Sequence, residues 1–142
     1  MKDIFTLFLI FVFLISCDLG KKTYSKYELL NVTDHEIILY SYNRSNQTLQ
    51  KTIQLLKKGD KWESEKFQTS RPGGQILLPT QLLEGDSLRV VFNGKKVLNF
   101  IGIYTSNNLL YEENYKLILV DENQTIRRYS FTEQDYENAE EL

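Results

Sequence analysis

The 142-residue sequence is poor in the side chains that most often carry chemistry: it has one Cys, one His, one Trp and one Met. A single Cys excludes both a disulfide framework and a Cys-based zinc site. A single His, His35, leaves little for imidazole-dependent metal or acid–base chemistry. Charge of one sign is also scarce. The 17 Lys+Arg stand against 19 Asp+Glu, a net −2, which excludes a polybasic nucleic-acid binder. Alanine, the strongest helix former, occurs only as Ala139. The length suits one domain, and 42% apolar with 25% charged residues excludes general disorder.

What is present is unevenly spread. Ile4 to Ile15 holds twelve residues whose only polar member is Thr6, and it contains four of the eight Phe. Removing residues 1–16 leaves 126 residues, of which 47, or 37%, are apolar. A helix of twelve residues reaches about 18 Å, short of a hydrocarbon core of about 30 Å. A helix buried in a soluble core would carry a polar face, and this run has none. The apolar core of a secretory signal fits, with Lys2 as its positive flank and the small Ser16 at its end.

Leu14-Ile15-Ser16-Cys17 resembles the bacterial lipobox. The resemblance implies that the Cys17 thiol carries diacylglycerol, that the leader is cut between Ser16 and Cys17, and that the new amino terminus is acylated. Cys17 follows the apolar run directly and precedes a polar stretch, so it is read as an anchor and not as a core thiol. Stable anchoring takes two or more chains at about 0.8 kcal/mol per buried methylene, which a triacylated Cys17 supplies. Residues 17–24 then form a short tether. Asp18 resembles an inner-membrane retention signal of enteric bacteria, whereas Asp18 with Lys21-Lys22 loosely resembles a surface-export signal of other groups. The outer membrane is favoured, with the face left open.

Behind the leader, nine Tyr and many Ile, Val and Leu alternate with turn signals at short intervals. Strands are expected near 25–31, 36–43, 48–56, 61–67, 75–79, 87–92, 96–101, 115–121 and 125–131. Asn93-Gly94 between two apolar runs is the clearest hairpin. Leu117-Ile118-Leu119-Val120, apolar at every position, reads as a central strand covered on both faces. Residues 48–56 also fit helical spacing, and strand is preferred. Thr132, with Glu133 and Asp135 in the first turn, opens a short and partly frayed terminal helix. The expected organisation is a signal over 1–16, a tether over 17–24, a β-domain over 25–131 and a helical tail over 132–142. The fold expected is all-β, an antiparallel sandwich of immunoglobulin-like or related type, with an open barrel as the alternative.

The search for chemistry yields few candidates. His35 sits among acids in a turn, with no nucleophile motif beside it, and reads as a solvated turn residue. The run from Asp121 begins like a calcium loop but lacks the required Gly and the closing Glu, so it reads as a polar hairpin turn. Arg71-Pro72-Gly73-Gly74 is too short to cradle phosphate. Trp62, beside Glu63 and Glu65, could stack on a sugar ring while the acids accept its hydroxyls, although a lone Trp in a small β-domain usually anchors its core. Tyr40, Tyr42 and Tyr104 are weaker candidates of the same kind. The Asn-x-Ser/Thr triplets at Asn31, Asn43, Asn46 and Asn123 read as turn chemistry. Asp86-Ser87-Leu88 resembles an O-glycosylation acceptor pattern of some bacteria.

Taken whole, the chain resembles the small lipoproteins of Gram-negative bacteria with AT-rich genomes. The resemblance rests on Leu14–Cys17, on Gly85 to Phe92, and on the ending Tyr129 to Ala139. It implies a location and a fold, and no activity. The expected function is that of a membrane-anchored, non-enzymatic β-domain that binds or scaffolds another envelope component, with no cofactor and no metal. Two alternatives stand beside it. One is a glycan-binding module centred on Trp62. The other is an inhibitor of an extracellular enzyme, acting through a protruding loop at 68–75 or 105–114.

Overall fold

The computed structural model describes residues 22–69, 77–102 and 107–142. The signal, Ser16, Cys17, Arg71-Pro72-Gly73-Gly74 and Tyr104 lie outside the described residues, as do most of the tether and most of the 68–75 loop.

Among the described residues, ten strands and two short helices follow one another. They are β1 (Tyr24–Asn31), β2 (Ile37–Asn43), β3 (Thr48–Leu55), β4 (Lys61–Glu63), β5 (Phe67–Gln68), α1 (Pro79–Leu82), β6 (Ser87–Phe92), β7 (Lys96–Ile101), β8 (Lys116–Asp121), β9 (Gln124–Phe131), α2 (Glu133–Asn138) and β10 (Glu140–Glu141). A 3-10 turn, Glu112–Asn114, precedes β8. The first sheet runs β4-β1-β9-β8, with β5 also on β1; the second runs β10-β7-β6-β2-β3. The chain is thus all-β in two sheets that do not close into a barrel, which sets the open-barrel alternative aside. One pairing departs from the antiparallel pattern. β1 and β9 run parallel over eight residues, from Tyr24 opposite Gln124 to Asn31 opposite Phe131.

Alternation decides what each strand buries. Tyr27 and Leu29 of β1, with Tyr129 and Phe131 of β9, point inward. They meet Ile37 and Leu39 of β2, Ile53 and Leu55 of β3, and Leu88, Val90 and Phe92 of β6. Aromatic rings run through this core in sequence. Tyr27 meets Tyr115 edge-on at 5.0 Å, Tyr115 leans on Tyr129 at 5.7 Å, and Tyr129 meets Phe131 at 5.2 Å. Phe131 then crosses to Phe92 in the second sheet at 6.5 Å. Edge and tilted pairs of this kind add about 0.5–1.5 kcal/mol each beyond the area they bury. Burial also pushes the Tyr27 phenol up to about 12 and lifts those of Tyr115 and Tyr129, so all three stay neutral at ordinary pH.

Turn chemistry sits where the sequence places it. Asn93 and Gly94 both take positive φ, at 51° and 65°, and Lys95 N–H donates to the Phe92 carbonyl at 2.9 Å. Asn31 is fully buried and fully bonded: its amide donates to the carbonyls of His35 and Leu55, and its oxygen accepts from Thr33. Asn43 and Asn46 accept from backbone N–H groups two residues on, as turn residues do. Asp121 likewise accepts from Asn123 N–H at 2.7 Å in the β8–β9 hairpin.

Several expectations are corrected. Leu117–Val120 is no central strand: β8 is the edge of the first sheet, and Leu117, Leu119 and Val120 are 58%, 72% and 51% exposed. The expected strand at 75–79 is not formed in its described part, because Pro79 starts α1, where a missing N–H is no loss. The span 61–67 divides into β4 and β5 around a Ser64 hydroxyl that accepts from Tyr27 N–H at 2.9 Å. The tail does not fray after α2. Glu140 and Glu141 pair with Val97 and Lys96 of β7, and Leu142 N–H reaches the Lys95 carbonyl at 2.8 Å. The described part of the 105–114 loop does not protrude, since Asn108, Leu109 and Leu110 are buried. The strand reading of 48–56 holds, over 48–55.

Gly85 leads into β6 where two backbones nearly touch. A Cβ there would come within 2.2 Å of the Ser41 hydroxyl and 2.6 Å of the Tyr42 carbonyl oxygen. Gly85→Ala is therefore expected to lower stability by about 1–3 kcal/mol. Equilibrium urea unfolding measures it, and an unshifted midpoint would show that β2 gives way freely.

Candidate functional site

Four surface regions gather polar side chains. On β4, alternation sends neighbours to opposite faces: Trp62 lies opposite Leu29, which points inward, and Glu63 lies opposite Glu28 on the outer face. Trp62 packs against the core. The Lys51 ammonium sits 5.4 Å over its ring while donating to the Leu82 carbonyl and the Glu84 carboxylate. A groove of about 390 Å³ runs here between Lys51, Trp62, Glu63, Glu65, Gln81 and Glu84. The three residues expected to grip a sugar all line this groove. The Trp62 ring is shared with Lys51, the Glu63 carboxylate is already held by Lys26 and Lys61, and Glu65 is exposed.

Glu63 belongs to a charge cluster on the outer face of the first sheet. Its carboxylate takes Lys26 at 2.7 Å and Lys61 at 2.8 Å. Glu28, only 1% exposed, is bonded by the Arg128 guanidinium and lies 3.8 Å from Lys61. Two acids on adjacent strands would repel; three cations around them turn the repulsion into a closed network. The Lys26 hydrogen bond, then that of Lys61, holds the Glu63 carboxyl down at about 2 against an ordinary 4.5.

His35 is more than a solvated turn residue. Its Nε2 lies 3.0 Å from Glu133, its Nδ1 2.8 Å from the Asn93 amide, and its ring stacks on Tyr136 at 3.7 Å. Lys96 sits 4.7 Å from that same Tyr136 ring. Both ring nitrogens are engaged, so the histidine works as a clamp that ties the β1–β2 turn and the β6–β7 hairpin to α2. Among the described residues no three metal-ligating side chains converge.

The fourth region is the outer face of the second sheet. Its strand registers build two rows: Thr52, Tyr40, Arg89 and Asn99, then Leu49, Tyr42, Ser87 and Ile101. A recess of about 450 Å³ opens there, lined by Tyr42, Arg44, Gln47, Ser87, Arg89 and Asn99. Neither row contains a carboxylate, and neither the Arg44 nor the Arg89 guanidinium has a carboxylate partner among the described residues. Asp86 is engaged instead with the Arg44 backbone N–H, at 2.6 Å. Ser87 of the acceptor-like triplet stands in the middle of its row, half-buried. The sequence reading singles out Tyr42 and passes over Arg44, Arg89, Asn99 and Gln47. The available signal is alternation, since Arg89 lies between the inward Leu88 and Val90 and must face away from the core.

Compared with protein-family models, with curated proteins and with solved structures, the chain matches none.

The Glu63 network sets a pH dependence. A carboxyl whose folded pKa is depressed contributes stability that is present above its unfolded value, near 4.5, and lost as pH falls toward 2. Unfolding free energy should therefore be flat above about pH 5 and decline between 4.5 and 2. Glu63→Gln should remove part of that slope, and an identical acid limb in the variant would exclude Glu63 as its source.

Proposed function

We propose that this protein is a cell-envelope lipoprotein, held on a bacterial membrane by acyl chains on Cys17, whose β-domain binds an envelope component presenting a carboxylate or phosphate. The anchor half of this reading is supported by Leu14–Cys17 behind a twelve-residue apolar run. From Cys17 to the start of β1 at Tyr24 the chain spans seven residues, at most about 25 Å, so the domain stays close to the bilayer.

The observation that carries the binding half is the recess on the second sheet, with two guanidinium groups that no described carboxylate pairs. Arginine presents a planar fork of donors that fits carboxylate and phosphate oxygens in pairs. Around the two guanidinium groups stand Tyr42, Gln47, Ser87 and Asn99, which can exchange hydrogen bonds with sugar hydroxyls. The surface is shallow and rests on a rigid sheet, which suits a binding module that holds a ligand without enclosing it.

Two measurements test the halves separately. Cys17→Ala should move the protein out of the membrane fraction and abolish labelling by radioactive palmitate; unchanged attachment would sink the anchor. Binding to an immobilised polyuronate should exceed binding to a neutral glucan and fall with salt. Arg44→Ala and Arg89→Ala should each weaken it roughly tenfold, the worth of one charge-assisted hydrogen bond. Equal retention of wild type and both variants would remove the recess from the function.

A further inference from the structure

The first sheet ends in a strand that nothing described covers. β8 reads Lys116-Leu117-Ile118-Leu119-Val120-Asp121, and Leu117, Leu119 and Val120 are all more than half exposed. An edge of this length normally carries inward charges, proline or a covering segment, because its unpaired N–H and C=O groups recruit other strands. β8 has only one bulge, between Leu119 and Asp121 at the hairpin end.

That bulge changes the symmetry of the strand. The pairing with β9 sets Leu117 and Leu119 on the inner face, opposite Arg127 and Thr125. Lys116, Ile118 and Asp121 lie on the outer face, opposite Arg128, Ile126 and Gln124. Without the extra residue, Lys116 and Asp121 would face opposite sides; with it they share one. The strand then reads identically from both ends in its faces, with a cation at one end and an acid at the other. Lys116 forms no ion pair among the described residues, and no described cation pairs with Asp121.

We propose that β8 pairs antiparallel with β8 of a second copy about a two-fold axis through Ile118. Each Lys116 then faces Asp121 of the other copy, each Leu117 faces Leu119, and Ile118 faces itself at about 5 Å between Cβ atoms. A two-fold axis perpendicular to the sheet requires directly opposed residues to share a face, and this register satisfies that at every position. The two first sheets become one continuous sheet across the junction, and the exposed leucines gain cross-strand partners. A bilayer is the weaker occupant, because the hairpin beside Leu119 and Val120 carries Asp121 and Glu122.

The test is made on the full chain in the envelope of a Gram-negative host. Ile118→Cys is treated with a short bismaleimide, with wild type as the control for Cys17 and Leu49→Cys as an exposed site on the other sheet. A crosslinked dimer specific to Ile118→Cys is the expected result; a yield no higher than that of Leu49→Cys overturns the proposal. Within Ile118→Cys, adding Lys116→Asp or Asp121→Lys should each cut the dimer about fivefold, since each turns two attractive pairs repulsive. The double reversal should restore it. A double variant as weak as the singles overturns the register, and shielding of the thiol by lipid alone would assign the edge to the bilayer instead.

Discussion

The parallel pairing of β1 with β9 is the constraint on which the rest of the molecule depends. Its partners lie one hundred residues apart, and everything between them is a single long crossover. Closing so long a loop costs only slightly more entropy than closing a short one, because the cost grows as the logarithm of length. The pairing must still be held by contacts formed on arrival. On the inner face those contacts are aromatic: Tyr27 meets Tyr115, which leads through Tyr129 and Phe131 to Phe92. On the outer face they are ionic, with Glu28 of β1 bound by Arg128 of β9. Removing Arg128 would leave a nearly inaccessible carboxylate with only a distant Lys61, the kind of uncompensated charge that costs several kcal/mol.

The same pairing explains how the C-terminus is fixed. β9 delivers the chain to Thr132, where the Asp135 carboxylate accepts from the Thr132 N–H and hydroxyl and starts α2. From there His35, Tyr136 and Lys96 stack on one another, and β10 adds to the edge of the second sheet. The tail therefore staples the two sheets together. Each sheet contributes one element to the clamp, β1 through its turn and β6–β7 through Asn93.

How much of the fold is legible follows from what local sequence encodes. Asn93-Gly94 names its own turn, because both residues must take positive φ, and Thr132 with Asp135 names its own helix start. β6 shows its inner face through Leu88, Val90 and Phe92, and alternation alone then sends Arg89 outward. The misreadings lie where burial is decided by distant chain. Leu117–Val120 has the composition of a doubly covered strand, yet composition cannot reveal whether a second sheet extends over it. Glu140-Glu141 has no strand preference of its own; Lys96 and Val97 impose one. Trp62, Glu63 and Glu65 do line one groove, but local sequence does not show that Lys26 and Lys61 engage the Glu63 carboxylate and Lys51 the Trp62 ring.

The two outer faces differ in how their cations are partnered, and the proposed binding face rests on that difference. Both carry arginines on a β-surface. On the first sheet, Arg128 is consumed by Glu28, and Lys26 and Lys61 by Glu63, so each of these cations already has a carboxylate partner. A network of paired charges would have to break its own bonds to accept an anion. On the second sheet, Arg44 and Arg89 stand among tyrosine, amide and hydroxyl groups with no acid in either row. Structural need does not account for that arrangement, because β2, β6 and β7 are already secured by their inward Leu39, Val90 and Phe100. Two guanidinium groups that no described carboxylate neutralises and the sheet does not require are what the proposed anionic ligand would complete.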